Sequence, residues 1–92
     1  MESSKVLEKA IKVYGKDLQK QVAIEEMAEL TKEICKDFRG KGNREHIIEE
    51  MADVCIMLDQ LMIIYDIETN EMLDEIDIKT ARLEERILRE AS

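Results

Sequence analysis

Ile47–Tyr65 reads IIEEMADVCIMLDQLMIIY. At about 100° per residue the apolar side chains of this stretch occupy nearly every direction of a helical wheel, so a helix here has no ordinary solvent face. Such a helix is expected to be the central, most buried element, with other helices packed round it. Its longest apolar run, Val54 to Tyr65, is broken by Asp59 and Gln60 and falls short of the roughly 20 residues that a membrane-spanning helix requires. Its surroundings also lack helix breakers. The chain has no Pro and three Gly, at positions 15, 40 and 42, which divide it into long helical stretches and leave no place for strands.

Working outward, Arg39-Gly40-Lys41-Gly42 is a short basic connection, and Asn43 is a good cap for the central helix. A connection this short favours an antiparallel hairpin with the helix before it. That preceding helix is capped by Asp17, ends near Phe38, and carries Val22, Ala23, Met27, Leu30 and Ile34 on one stripe. Ser3 or Ser4 caps a first helix running to about Tyr14, where Gly15 offers a left-handed stop. Thr69 or Asn70 caps a fourth helix running to about Glu90, whose stripe of Leu73, Ile76, Leu83 and Ile87 is expected to cover the hairpin. The sequence therefore predicts one all-α domain over 1–92, four helices arranged round a central hairpin.

Of the 92 residues, 39% are charged, with a net charge of -8, one Phe, two Tyr and no Trp. A chain this short buries a small share of its surface, so homo-oligomerisation is expected to complete the core. The acidic balance repels a nucleic-acid polymer. Cys35 and Cys55 lie inside helical patterns without metal-binding spacing, and no secretory leader precedes them, so they read as reduced, buried thiols of a cytoplasmic protein.

The acids are the informative residues. Glu25-Glu26-Met27-Ala28-Glu29 (EEMAE) is followed, after twenty residues, by Glu50-Met51-Ala52-Asp53 (EMAD). Glu26 with Glu29, and Glu50 with Asp53, are spaced three apart, which places each pair on one helix face. On the wheel Glu26 and Glu29 border the apolar stripe of their helix, and Asp53 sits on a helix too apolar to have a solvent face. An antiparallel hairpin brings the four together. Ionised carboxylates gathered at a partly dry site require cations, and an all-oxygen set selects Mg²⁺ or Mn²⁺ over zinc or copper. The competing reading is a set of solvated acids paired along their own helices, yet only Glu29 has such a neighbour, Lys32. Glu33 lies near the same face as a further outer acid. A di-iron carboxylate site needs two Glu-x-x-His motifs, and His46, the one histidine, precedes its nearby acid Glu49; it reads as an ordinary first-turn residue.

EEMAE, the gap of about twenty and EMAD together resemble the E-E-x-x-E…E-x-x-D signature of the MazG-like all-α nucleoside triphosphate pyrophosphatases. The similarity spans Ala23 to Tyr65, through AIEEMAEL, RGKGNREHIIEEMADV and IMLDQLMIIY, and continues more weakly through DIKTARLEERI. It looks like the short single-domain branch of that family. The resemblance implies that Glu26, Glu29, Glu50 and Asp53 hold Mg²⁺, that Glu25 has a water-orienting or outer role, and that two or more ions bridge the acids and a triphosphate. The implied reaction is hydrolysis of (deoxy)nucleoside triphosphates to monophosphate and pyrophosphate, as house-cleaning or control of nucleotide pools, by a homodimer or homotetramer. A K-x-x-R pattern that the family places near the phosphates matches Lys79 and Arg82, with Arg86 one turn on; solvent-facing pairs such as Glu75 with Lys79 are the alternative for these three. The chain departs from larger members at Asp77, where they often carry Asn. A rival function is a non-catalytic helical oligomerisation or interaction module, in which the acids supply only solubility.

Overall fold

The computed structural model describes residues 3–91, which form four helices, α1 (Ser3–Tyr14), α2 (Lys16–Phe38), α3 (Arg44–Ile64) and α4 (Thr69–Ala91), with no strand among them. The all-α class is as the sequence predicts, and among the described residues no helix is long and apolar enough to cross a membrane.

A single residue joins α1 to α2. The Gly15 N–H donates to the Ile11 carbonyl at 2.8 Å, and the Gly15 carbonyl accepts from the Gln19 N–H at 3.1 Å. Gly15 has φ 90° and ψ 153°, an extended conformation essentially confined to glycine. It is thus a joint rather than the expected left-handed stop. Gly15 also occupies the capping position of α2, so Asp17 falls inside the first turn and does not cap; there its charge still faces the positive end of the helix dipole. Ser4 is likewise inside α1, and the position that caps α1 lies outside the described residues.

The α2–α3 turn follows from its sequence. Gly40, at φ 74°, donates to the Asp37 carbonyl and Lys41 to the Lys36 carbonyl, both at 2.9 Å, the paired bonds of a Schellman ending. A Cβ on Gly42 would come within 2.9 Å of the Asp37 Cα, so only glycine lets the chain pass this close. Asn43 then caps α3 as expected, its side-chain oxygen accepting from the Glu45 and His46 N–H groups at 3.0 and 3.2 Å.

The end of α3 repeats the Schellman pattern with Asp66 in the left-handed position, at φ 54°. Asp66 donates to Ile63 and Ile67 to Met62, at 3.2 and 2.8 Å. Thr69 and Asn70 lie within the first turn of α4 and do not cap it. The Glu71 carboxylate instead accepts from the Glu68 N–H at 2.7 Å, the return half of a capping box.

Helices α2 and α3 pack as an antiparallel hairpin, with α1 against both. The far end of the hairpin is fastened by a buried hydrogen bond from the Gln19 amide to the Gln60 carbonyl at 2.6 Å. The Lys20 ammonium lies over the Tyr65 ring, 4.8 Å from its centre. Ile11, Ala23 and Met57 form the buried apolar core.

Three further expectations are corrected here. Beyond its first turn α4 packs on none of the other helices: the Asp66 turn sends it outward, and its stripe of Leu73, Ile76, Leu83 and Ile87 is exposed. Helix α3 is central but not enclosed. Met57 is buried, while Met51, Ile56, Leu58 and Ile63 face outward where no helix of this chain covers them. Cys35 and Cys55 are free and exposed rather than buried. The radius of gyration is 16.5 Å, against about 12 Å for a compact chain of this length.

Candidate metal centre

The hairpin turns at Arg39 and Gly40, so residues equidistant from that turn face each other. Glu26 and Asp53 are such a pair, and so are Glu29 with Glu50 and Gln19 with Gln60. The buried glutamine pair therefore fixes the register that sets acid against acid. It lies two helical turns from Glu26, since seven residues separate Gln19 from Glu26 on α2. A slip of one residue would rotate each acid by about 100° and dissolve the arrangement.

Glu26, Glu50 and Asp53 each bring one carboxylate oxygen to within 4.8 Å of the others. Glu26 and Glu50 are half-buried and Asp53 is exposed, so the group opens to solvent on one side. Partial burial raises the pKa of Glu26 above the usual glutamate value, and the neighbouring charge of Asp53, a hydrogen bond with Asp53, and the charges of Glu50 and Glu29 add to the rise. Glu50 is raised as well, by loss of hydration and then by the charges of Asp53, Glu29, Glu33 and Glu49. In both, loss of hydration leads and negative charge held close to negative charge adds to it.

The remaining site residues are placed less centrally. Glu29 is exposed and stands beside the three-acid group, outside its 4.8 Å span, while its charge acts on both Glu26 and Glu50. Glu25 is exposed on the neighbouring face of α2. Glu33 is buried, at 7% exposure; one oxygen meets the Lys36 ammonium at 3.1 Å and the other, Oε2, is buried without a partner. Lys79, Arg82 and Arg86 line one shallow depression around Leu83 on α4, and because α4 stands away from the hairpin they do not approach the acids of their own chain. Lys79 is paired instead with Glu75 at 3.7 Å, an exposed contact of the kind that contributes little. His46 is an exposed first-turn residue whose N–H donates to the Asn43 cap.

Sequence reasoning did not single out Gln19 and Gln60, although a polar side chain inside the apolar run of α3 was a visible signal. It also ranked Glu29 above Glu33, whereas Glu33 is the more enclosed of the two.

The donor set suits a hard divalent cation. It is all carboxylate, drawn from two helices, and open on one side where water or a phosphate can complete the coordination. Compared with models of known protein families, with curated proteins and with solved structures, the chain matches none.

Proposed function

We propose that this chain is a Mg²⁺-dependent nucleoside triphosphate pyrophosphohydrolase, with Mn²⁺ as an alternative ion. The reading rests on one observation, the convergence of Glu26, Glu50 and Asp53 from two helices of a register-locked hairpin. The resemblance of EEMAE and EMAD to the MazG-like signature supplies the substrate class.

Water is added across the α–β anhydride of a (deoxy)nucleoside triphosphate, giving the monophosphate and pyrophosphate. A bound divalent cation supplies neutralisation of phosphate charge and makes water more acidic. Glu26, Glu50 and Asp53 would hold that charge in place, with Glu29 at the exposed edge as a further ligand, and Glu25 would orient water from the adjoining face. The net charge of -8 then ceases to oppose an anionic substrate, because the triphosphate meets cations rather than carboxylates. The two free thiols accord with a cytoplasmic setting, where they stay reduced.

The assembly is proposed as a homodimer or homotetramer. The chain exposes 7544 Å², whereas a compact monomer of its mass would expose about 5,500 Å². The difference, about 2,000 Å² per chain, is of the size that obligate interfaces cover. A second copy packed on the bare faces of α3 and α4 would also bring Lys79, Arg82 and Arg86 towards a neighbouring acid group. Sedimentation should show an oligomer, and Leu83→Glu, which sets a charge in the α4 stripe, should shift it to monomer.

The direct test is a pyrophosphate-release assay over canonical and modified (d)NTPs with Mg²⁺ or Mn²⁺. Asp53→Asn and Glu26→Gln are expected to abolish release at unchanged helical content; turnover retained in both would reject the assignment. The bare apolar stripe of α4 favours a second reading, a helical interaction module without catalysis. That module would oligomerise normally, release no pyrophosphate, and melt at the same temperature with and without Mg²⁺.

A further inference from the structure

We propose that two copies of the chain pair through the outward face of α3, antiparallel and two-fold symmetric about Cys55, so that the basic hairpin turn of each copy seats in an acidic cleft at the far end of the other's α3. The inference deepens the proposed self-association and rests on it, not on the reaction.

The face follows from the sequence of α3. Ile48, Met51, Cys55, Leu58 and Met62 are spaced alternately three and four residues apart and fall within about 80° of one another, the seam by which one helix packs along another. The seam is bare: Ile48, Met51 and Leu58 are exposed, and so is Cys55, its midpoint. Glu50 and Asp53 lie about 120° or more round α3 from the middle of the seam, so pairing there leaves the acid group open.

The two ends of this face differ in charge. At the hairpin turn Phe38 is 87% exposed, the most exposed large apolar residue among the described residues, and Arg39, Lys41 and Arg44 accompany it. At the other end of α3 an open cleft of about 620 Å³ lies between α3 and the first turns of α1 and α4. Leu7, Met62 and Ile67 give it apolar walls. Glu8, Asp59, Asp66 and Glu68 also line it, and among the described residues no basic side chain does. Within the described chain neither these four acids nor the three basic residues of the turn form an ion pair.

An exposed aromatic ring among cations and an apolar hollow among acids are complementary in shape and in sign. Charge then fixes the direction. Parallel packing would set turn on turn and cleft on cleft, whereas antiparallel packing sets each turn on the opposite cleft. The spacing agrees. Arg44 lies eleven residues before Cys55, and Asp59 and Glu68 lie four and thirteen after it; reversed about Cys55, the level of Arg44 falls between those two acids. The contact is closed by its own symmetry, each copy giving one turn and receiving one.

The test is sedimentation equilibrium on two charge-reversed chains, Arg39→Glu with Arg44→Glu in the turn, and Asp59→Lys with Glu68→Lys in the cleft. Each alone sets like charge against like at both ends and should raise the dimer dissociation constant on the order of 100-fold. Mixed in equal amounts, the two should re-form a dimer close to wild-type strength, because the acidic turn of one meets the basic cleft of the other and the basic turn meets the acidic cleft. Mixing does not rescue misfolded chains, and circular dichroism of each variant checks helical content. Phe38→Ala should weaken the dimer about 30-fold, as loss of a seated aromatic anchor does. A short bismaleimide should join wild-type and Cys35→Ser chains into covalent dimers and leave Cys55→Ser unjoined. Association that survives both reversals, or a mixture that stays dissociated, overturns the contact of turn with cleft and leaves self-association standing. Cross-linking that follows Cys35 rather than Cys55 overturns the axis. A wild-type chain that sediments as a monomer refutes self-association and the proposal with it.

Discussion

Replacing Asp53 by Asn should have effects of opposite sign with and without a divalent cation. The substitution keeps the side chain's shape and removes one of three negative charges. In the cation-free protein, Asp53 and Glu26 face each other across at most 4.8 Å. Coulomb's law puts a repulsion at that distance between about 0.9 kcal/mol in water and about 3.5 kcal/mol at an effective dielectric constant of about 20. Asp53 is exposed, so the lower end governs, and relief of about 1 kcal/mol is expected. For a chain of this length that raises the melting midpoint by roughly 5 °C. With Mg²⁺ at a hundred times its dissociation constant, the wild-type chain should gain about 2.7 kcal/mol, or roughly 14 °C, and Asp53→Asn should gain little of it. Far-UV circular dichroism melts at one protein concentration, in EDTA and in Mg²⁺, read both effects; NaCl must match the ionic strength, since salt alone screens the acids. A variant that melts lower than wild type in EDTA, or keeps the full Mg²⁺ shift, would refute the crowding on which the site is built.

Other expectations follow from the caps and the titrating acids. Asn43→Ala removes the acceptor for two N–H groups and should lower stability by about 1 kcal/mol, read by thermal or urea melts. Asp66→Gly frees a left-handed position from its side-chain penalty and should add about 0.5 to 1 kcal/mol; a loss would mean that the Asp66 carboxylate has a partner that matters more than its backbone. Glu26 and Glu50 titrate above the usual glutamate value of 4.5 when folded, so the folded chain binds more protons than the unfolded one above that pH. Their contribution is therefore fully present below pH 4.5 and is lost as pH rises through the folded values. Melting midpoints in EDTA should fall across that range and Mg²⁺ should cancel the decline; a cation-free midpoint that rises would contradict the shifts.

The hairpin was legible because its signals are local. Gly40, Gly42 and Asn43 each have a backbone task that few other residues perform, and the structure uses all three for it. Caps chosen on side-chain chemistry alone fared worse: Asp17, Thr69 and Asn70 each lost the position to a residue just upstream, Gly15 through its backbone conformation and Glu68 through its N–H bond to the Glu71 carboxylate. The three-residue spacing of the acid pairs was equally readable, and three of those four acids do converge. Ranking the outer acids needed depth as well as direction. Glu29 lies about 60° from Glu26 on the wheel and Glu33 about 20°, so the wheel already pointed to Glu33, while the motif drew attention to Glu29. The course of α4 was not legible at all, because an apolar stripe records that a helix must be covered and not by which chain.

Three buried apolar side chains and one buried glutamine pair hold a hairpin that also carries crowded acids, so the isolated chain has little stability to set against their repulsion. Two kinds of partner relieve it. A cation would remove the repulsion, and a second copy would cover the outward residues of α3, among them Met51 and Ile56, which neighbour Glu50 and Asp53 along the same helix. Both act on one element, the α2–α3 register, and each is bound more tightly by a hairpin the other has already ordered. On the proposed reading the two equilibria are therefore reciprocal: if cation strengthens self-association by some factor, self-association strengthens cation binding by the same factor. On that reading the exposed side of the acid group and the bare faces of α3 and α4 would belong to one device, a site whose metal affinity would be set by its assembly.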